Sequence, residues 1–108
     1  MNIRIGKGTL TTSLVNIDAN AVPVDRYTML KAITLCNKTD TDCWVTIQLD
    51  GSNLLYKYVV PGFGEREENT RTIPFVDQIM VAGDRLTGAA QANDAIDFCI
   101  SGYEVDVS

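Results

Sequence analysis

Asp84, Asp94, Asp97 and Glu104 are the residues whose type best suits them to chemistry. Two facing carboxylates can cleave a glycoside, one as acid and the other as base or nucleophile. No spacing here singles out a pair, and isolated carboxylates of an acidic chain are ordinarily surface groups. Histidine is absent, which removes the commonest general base and metal ligand. Neither a Ser-His-Asp nor a Cys-His arrangement can be assembled. Thr39-Asp40-Thr41-Asp42 and Asp50-Gly51-Ser52-Asn53 hold oxygens that suit calcium. Neither matches the long calcium loop that ends in glutamate, so both read first as turns. No catalytic, cofactor-binding or metal-binding residue is expected, and the chain reads as a non-enzyme.

The aromatic residues offer a different kind of site. Trp44, Tyr56 and Tyr58 lie on two runs joined by a turn. If that turn is a hairpin, the three rings come level on one face. Such a face packs under other elements, forms a subunit interface, or stacks on sugars. Aromatic rings suit interfaces because they bury much area with few rotors. Cys36 and Cys43 flank the turn-forming segment 37–42. They either bridge across a hairpin or serve as small core residues. Cys99 alternates with Ile96, Phe98 and Ile100, so it belongs on the opposite face from them.

These residues need a frame. At 108 residues the chain makes one domain spanning 1–108 with a single core. Nine basic and 14 acidic residues give a net charge of −5. No basic cluster is present, which argues against nucleic acid as a partner. No stretch reaches the roughly 20 apolar residues that cross a bilayer, so no membrane role is expected. The first residues lack the apolar core and cleavage site of a signal peptide. Three cysteines are an odd count for a secreted disulfide scaffold. Synthesis and folding in a cytoplasm are the expectation.

Strand signals cover the rest. Residues 43–49 alternate, with Cys43, Val45, Ile47 and Leu49 on one face and Trp44, Thr46 and Gln48 on the other. Asp50-Gly51 is a strong hairpin signal, and 54–60 read as the return strand. Further strands are expected over 10–17, 27–36, 85–90, 95–101 and 103–107, with Gly102 dividing the last two. Residues 71–76 and 78–81 form two short strands, or one bent strand kinked at Pro74 and Asp77. Proline cannot donate to a ladder, which places Pro74 on an edge. Residues 1–8 read as an N-terminal arm or an edge strand. In the arm reading, Ile3, Arg4 and Ile5 alternate and add to a neighbour's sheet. Residues 65–70 read as a polar loop. About eight strands, with turns roughly every eight to twelve residues, imply an all-β antiparallel sandwich, jelly-roll-like. An immunoglobulin-like order is the competitor, although its Cys, Trp, Cys spacing is absent.

The run Lys31-Ala32-Ile33-Thr34-Leu35-Cys36-Asn37-Lys38-Thr39 resembles the opening of small tailed-bacteriophage virion proteins. Val45-Thr46-Ile47, Val60-Pro61-Gly62, Val81-Ala82-Gly83-Asp84-Arg85-Leu86 and Ile100-Ser101-Gly102-Tyr103-Glu104-Val105 follow in the same order. The resemblance covers roughly residues 27–107. It implies a protein that decorates or cements a capsid, or sits at the neck or tail, as a dimer or trimer. The implied partner is the major capsid protein or another virion protein, and the implied location is the virion. A carbohydrate- or receptor-binding jelly-roll module of a phage tail or fibre is the alternative.

Overall fold

The computed structural model describes residues 1–63 and 69–106, without the side chains of Val76 and Asp77. Most of the expected 65–70 loop and Val107 lie outside the described residues. Eight strands are present among those described: β1 (Asn2–Thr9), β2 (Val15–Asn16), β3 (Arg26–Asn37), β4 (Cys43–Leu49), β5 (Ser52–Val60), β6 (Thr70–Met80), β7 (Leu86–Ala90) and β8 (Ile96–Asp106). They form two four-stranded antiparallel sheets, ordered β1-β8-β3-β6 and β2-β7-β4-β5. Pairing first with last inward (β1 with β8, β2 with β7, β3 with β6, β4 with β5) is the path of a jelly roll. The inner faces meet in one core built on Leu10, Leu30, Ile33, Leu35, Val45, Ile47, Leu86, Ile96 and Ile100.

Local chemistry accounts for the turns. Asp50 and Gly51 have φ of 48° and 87°, the left-handed pair that a two-residue hairpin loop requires. The strand expected over 10–17 shrinks to Val15–Asn16, because the chain changes sheets there. The Leu10 N–H still donates to Ile96 of the first sheet, at 2.8 Å. The next carbonyl, on Thr11, already accepts from Ala90 of the second, at 2.8 Å. Gly102 does not end a strand; β8 runs through it. A Cβ there would lie 2.6 Å from Ile5 Cδ1 and 2.8 Å from the Met29 carbonyl. The glycine therefore admits a close approach instead of making a turn. The two short runs join in one strand, β6 (Thr70–Met80), with a register shift between Pro74 and Gln78, on the edge of its sheet.

Cys36 and Cys43 are not bridged: Cys43 is buried in the core and Cys36 sits half-exposed on another sheet. Cys99 is exposed while Ile96, Phe98 and Ile100 are buried, as alternation requires.

Asn37 closes one end of the sandwich. Its fully buried amide donates to the carbonyls of Thr41 at 2.8 Å and Val60 at 3.0 Å. Its oxygen accepts from the Thr39 N–H at 2.9 Å and the Thr39 hydroxyl at 2.7 Å. One side chain thus ties β3, the following turn and the end of β5. Asn37→Ala strands these buried groups and should destabilise the fold by about 2–4 kcal/mol. In a thermal melt that is a fall of roughly 10 °C or more; a fall of about 2 °C or less would refute the role.

Candidate functional site

The aromatic site is built by an irregular edge strand. β5 carries register shifts opposite the Val45–Ile47 and Ile47–Gln48 steps. At the first of them Lys57 adopts φ 49°, and its N–H donates to the buried Thr46 hydroxyl at 3.1 Å. Such a conformation in a non-glycine residue is strained and needs that kind of support. The bulge carries the Lys57 ammonium to 5.5 Å from the Trp44 ring centre and 5.6 Å from that of Tyr56. Two cation–π contacts at an exposed site contribute about 0.5–1 kcal/mol each.

Only two of the three expected aromatic residues share this face. Trp44 is half-buried and Tyr56 is 65% exposed. Tyr58 pairs with the buried Val45 and packs against the core. The bulge between Tyr56 and Tyr58 breaks the two-residue alternation, and nothing in the sequence announces it.

Ile3, Arg4 and Ile5 do not extend as a free arm. They lie in β1, which pairs with β8 from Asn2 opposite Tyr103 to Thr9 opposite Asp97. Alternation turns both isoleucines inward: Ile5 is buried and Ile3 packs on the core, while Arg4 stays exposed; the bulge between Arg4 and Gly6 shifts the parity only beyond Ile5. All four sheet edges are blunted. β1 and β6 are bulged and β6 carries Pro74; β5 is bulged twice; β2 has two residues. Such devices prevent a further strand from adding.

The solvent side of the β1-β8-β3-β6 sheet carries a feature that sequence reading missed. Tyr103, Met29 and Ile79 form a cross-strand row over β8, β3 and β6. Val105 and Tyr27 begin the next row, and Val81 follows β6 at its end. Val24, Tyr27, Ile79 and Val81 line one shallow groove with Arg26 and Ala82. Val24 is 89%, Val81 56% and Ile79 48% exposed. The other half of this face is polar: Thr34 pairs with Cys99 and Thr72, and Cys36 with Asp97 and Thr70. A signal was available. Residues 27–30 are apolar at both parities except Thr28, so one apolar set had to face outward.

The four carboxylates are held apart in separate structural roles. Asp84 accepts from the Val81 N–H at 2.9 Å, and Asp94 turns the chain at φ 59°. Glu104 takes a hydrogen bond from the Arg26 guanidinium, which holds that arginine's pKa above its ordinary value. Asp97 accepts from the Thr9 hydroxyl at 2.6 Å and lies 3.2 Å from the Lys38 ammonium. The Thr9 bond, then Lys38, lowers its pKa against a desolvation that opposes them. The two oxygen-rich segments act as turns: Asp42 accepts from the Gly62 N–H at 3.2 Å, and Asp50 opens the hairpin. Among the described residues no cluster of three Cys, Asp or Glu could hold a metal.

No protein-family profile matches the chain, and neither does any curated protein. Among solved structures it is similar to the CBM35 from Paenibacillus barcinonensis, with 13% identity and a TM-score of 0.45 over 96% of this chain and 91% of that one. It is also similar to a pentameric capsid protein isolated from metagenomic phage sequences, with 16% identity and a TM-score of 0.41. That match covers 96% of this chain and 63% of the capsid protein. At this distance neither likeness carries an argument about function.

Two outcomes test this geometry. Lys57→Ala uncovers the sole tryptophan, so Trp44 emission should move to longer wavelength while far-ultraviolet dichroism stays the same; an unmoved spectrum would refute the contact. Asp97 has a depressed pKa, so its stabilisation is present above the ordinary carboxylate value near 3.9 and lost as pH falls through the lower folded value. Asp97→Asn should therefore cost a few tenths to about 1 kcal/mol near neutrality, held down by exposure and salt screening. The variant's stability should fall less steeply in acid, and parallel acid-unfolding curves would contradict the assignment.

Proposed function

We propose that this chain is a non-enzymatic structural protein of a tailed-phage virion, of the capsid decoration or cement type. It is made in the host cytoplasm and resides in the virion. It acts as a dimer or trimer bound to the major capsid protein or another virion protein. The observation that carries this reading is the apolar half of the outer sheet face, from Tyr103 and Met29 to Ile79, Val81 and Val24. Contiguous exposed apolar surface on a small soluble domain marks a contact site. The blunted edges support a face-to-face mode, since strand addition is obstructed on every side. The ordered resemblance of residues 27–107 to small virion proteins supplies the class. In this reading the apolar face is where copies of the chain pack together.

The glycan-binding alternative draws on Tyr56 beside Trp44, although a stacked sugar must first displace Lys57 from both rings. Trp44→Ala on a sugar array tests it: loss of a specific signal with the fold intact would favour that reading.

Light scattering behind a sizing column tests the main proposal. The wild type should run as a dimer or trimer. The double variant Ile79→Glu, Val81→Glu should run as a monomer with stability changed by no more than about 0.5 kcal/mol per site. It should also lose binding to capsids. A wild type that stays monomeric at high concentration, on or off the shell, would sink the proposal.

A further inference from the structure

We propose that the mouth of the sandwich binds a compact neutral molecule carrying one hydroxyl on an apolar ring or chain, such as a phenol or an alicyclic alcohol. The site is separate from the outer face discussed above and does not depend on that reading. A cavity of about 310 Å³ lies here, a size that suits a small ligand. Its floor is the inner cross-strand row Met80, Thr28 and Glu104. Ile3 and Ile5 of β1 form a wall, and residues 19–23 form the roof. The roof is pinned at both ends. The Ala19 N–H donates to the Ile5 carbonyl at 2.9 Å, and the Gly83 N–H donates to the Val22 carbonyl at 2.9 Å. The space is therefore a fixed part of the fold.

Two polar groups face each other in this apolar setting. Thr28 as a whole is 3% exposed; its hydroxyl opens onto the cavity and makes no hydrogen bond with any described residue. Glu104 lies directly across from it in the register. One carboxylate oxygen is occupied by Arg26; the other has no partner among the described residues. A ligand hydroxyl seated between them donates to Glu104 and accepts from Thr28. The remaining surface, Ile3, Ile5, Val22 and Met80, matches an apolar body. Charge selects a neutral ligand. Arg26 already neutralises Glu104, and Arg4 lines the rim. A cation would meet Arg4 at the rim, and an anion would meet the Glu104 carboxylate.

The test uses p-cresol, with toluene as the matched molecule that lacks the hydroxyl. Methyl resonances of Ile3, Ile5 and Met80 are followed by NMR during titration. p-Cresol should give saturable shifts confined to these methyls, with toluene about tenfold weaker, the size of one good hydrogen bond. Thr28→Val should weaken p-cresol about tenfold and leave toluene unchanged. Ala21→Phe, which fills the space from the roof, should abolish both. Should Thr28→Val fail to fold, the toluene comparison and Ala21→Phe still decide the question. Equal shifts from both ligands, shifts scattered over the surface, or no saturation at millimolar concentrations would overturn the proposal.

Discussion

The pairing of β3 with β8 is the constraint on which the rest of the structure hangs. It joins Arg26–Asn37 to a strand about seventy residues later, from Arg26 opposite Asp106 to Asn37 opposite Ile96. These two strands occupy the middle of their sheet, so β1 and β6 have no other place to dock. Their inner residues Leu30, Ile33, Leu35, Ile96 and Ile100 are among the most buried in the molecule. Closing so long a loop is entropically unfavourable. Burial of this central apolar strip offsets it, since each large side chain withdrawn from water contributes about 1.5–3 kcal/mol.

A line of irregularities crosses this sheet at one level. β1 bulges at Ile5, β3 at Lys31 and β6 between Pro74 and Gln78, while β8 places Gly102 between its neighbours. The missing Cβ of Gly102 lets the Ile5 side chain and the Met29 carbonyl close in. Each bulge inserts residues and shifts side-chain parity. Above the line the outer face holds Met29, Tyr103 and Ile79; below it stand Thr34, Thr72 and Cys99. One sheet thus presents an apolar half and a polar half, and its edges are spoiled for further pairing.

Buried polar groups hold the ends of the sandwich. Asn37 satisfies both its donor and its acceptor at one end. Asp18, fully buried at its side chain, accepts from Arg85 at 2.9 Å and from the Leu86 N–H at 2.9 Å. It thereby fixes the segment that passes beneath β1, where Gly6 leaves no room for a Cβ beside the Ile17 carbonyl. Arg26 and Glu104 mark the opposite arrangement. Their ion pair borders an open mouth, and Thr28 lies inside it with no hydrogen-bond partner among the described residues.

The alternation of 43–49, the Asp50-Gly51 turn and the outward Cys99 were legible in the sequence, because each depends on a two-residue period or on the left-handed freedom of a turn pair. The all-β sandwich follows from the same local rules. What the sequence did not reveal is where that period slips. A bulge inserts a residue without any marked residue type, so Tyr58 lands in the core while Tyr56 stays outside. Gly102 read as a stop because glycine usually breaks a strand, whereas here a neighbouring isoleucine needed the space. The apolar outer rows, the Lys57 contacts and the cavity at Thr28 arise from strands far apart in sequence. Only their register in three dimensions brings those side chains together.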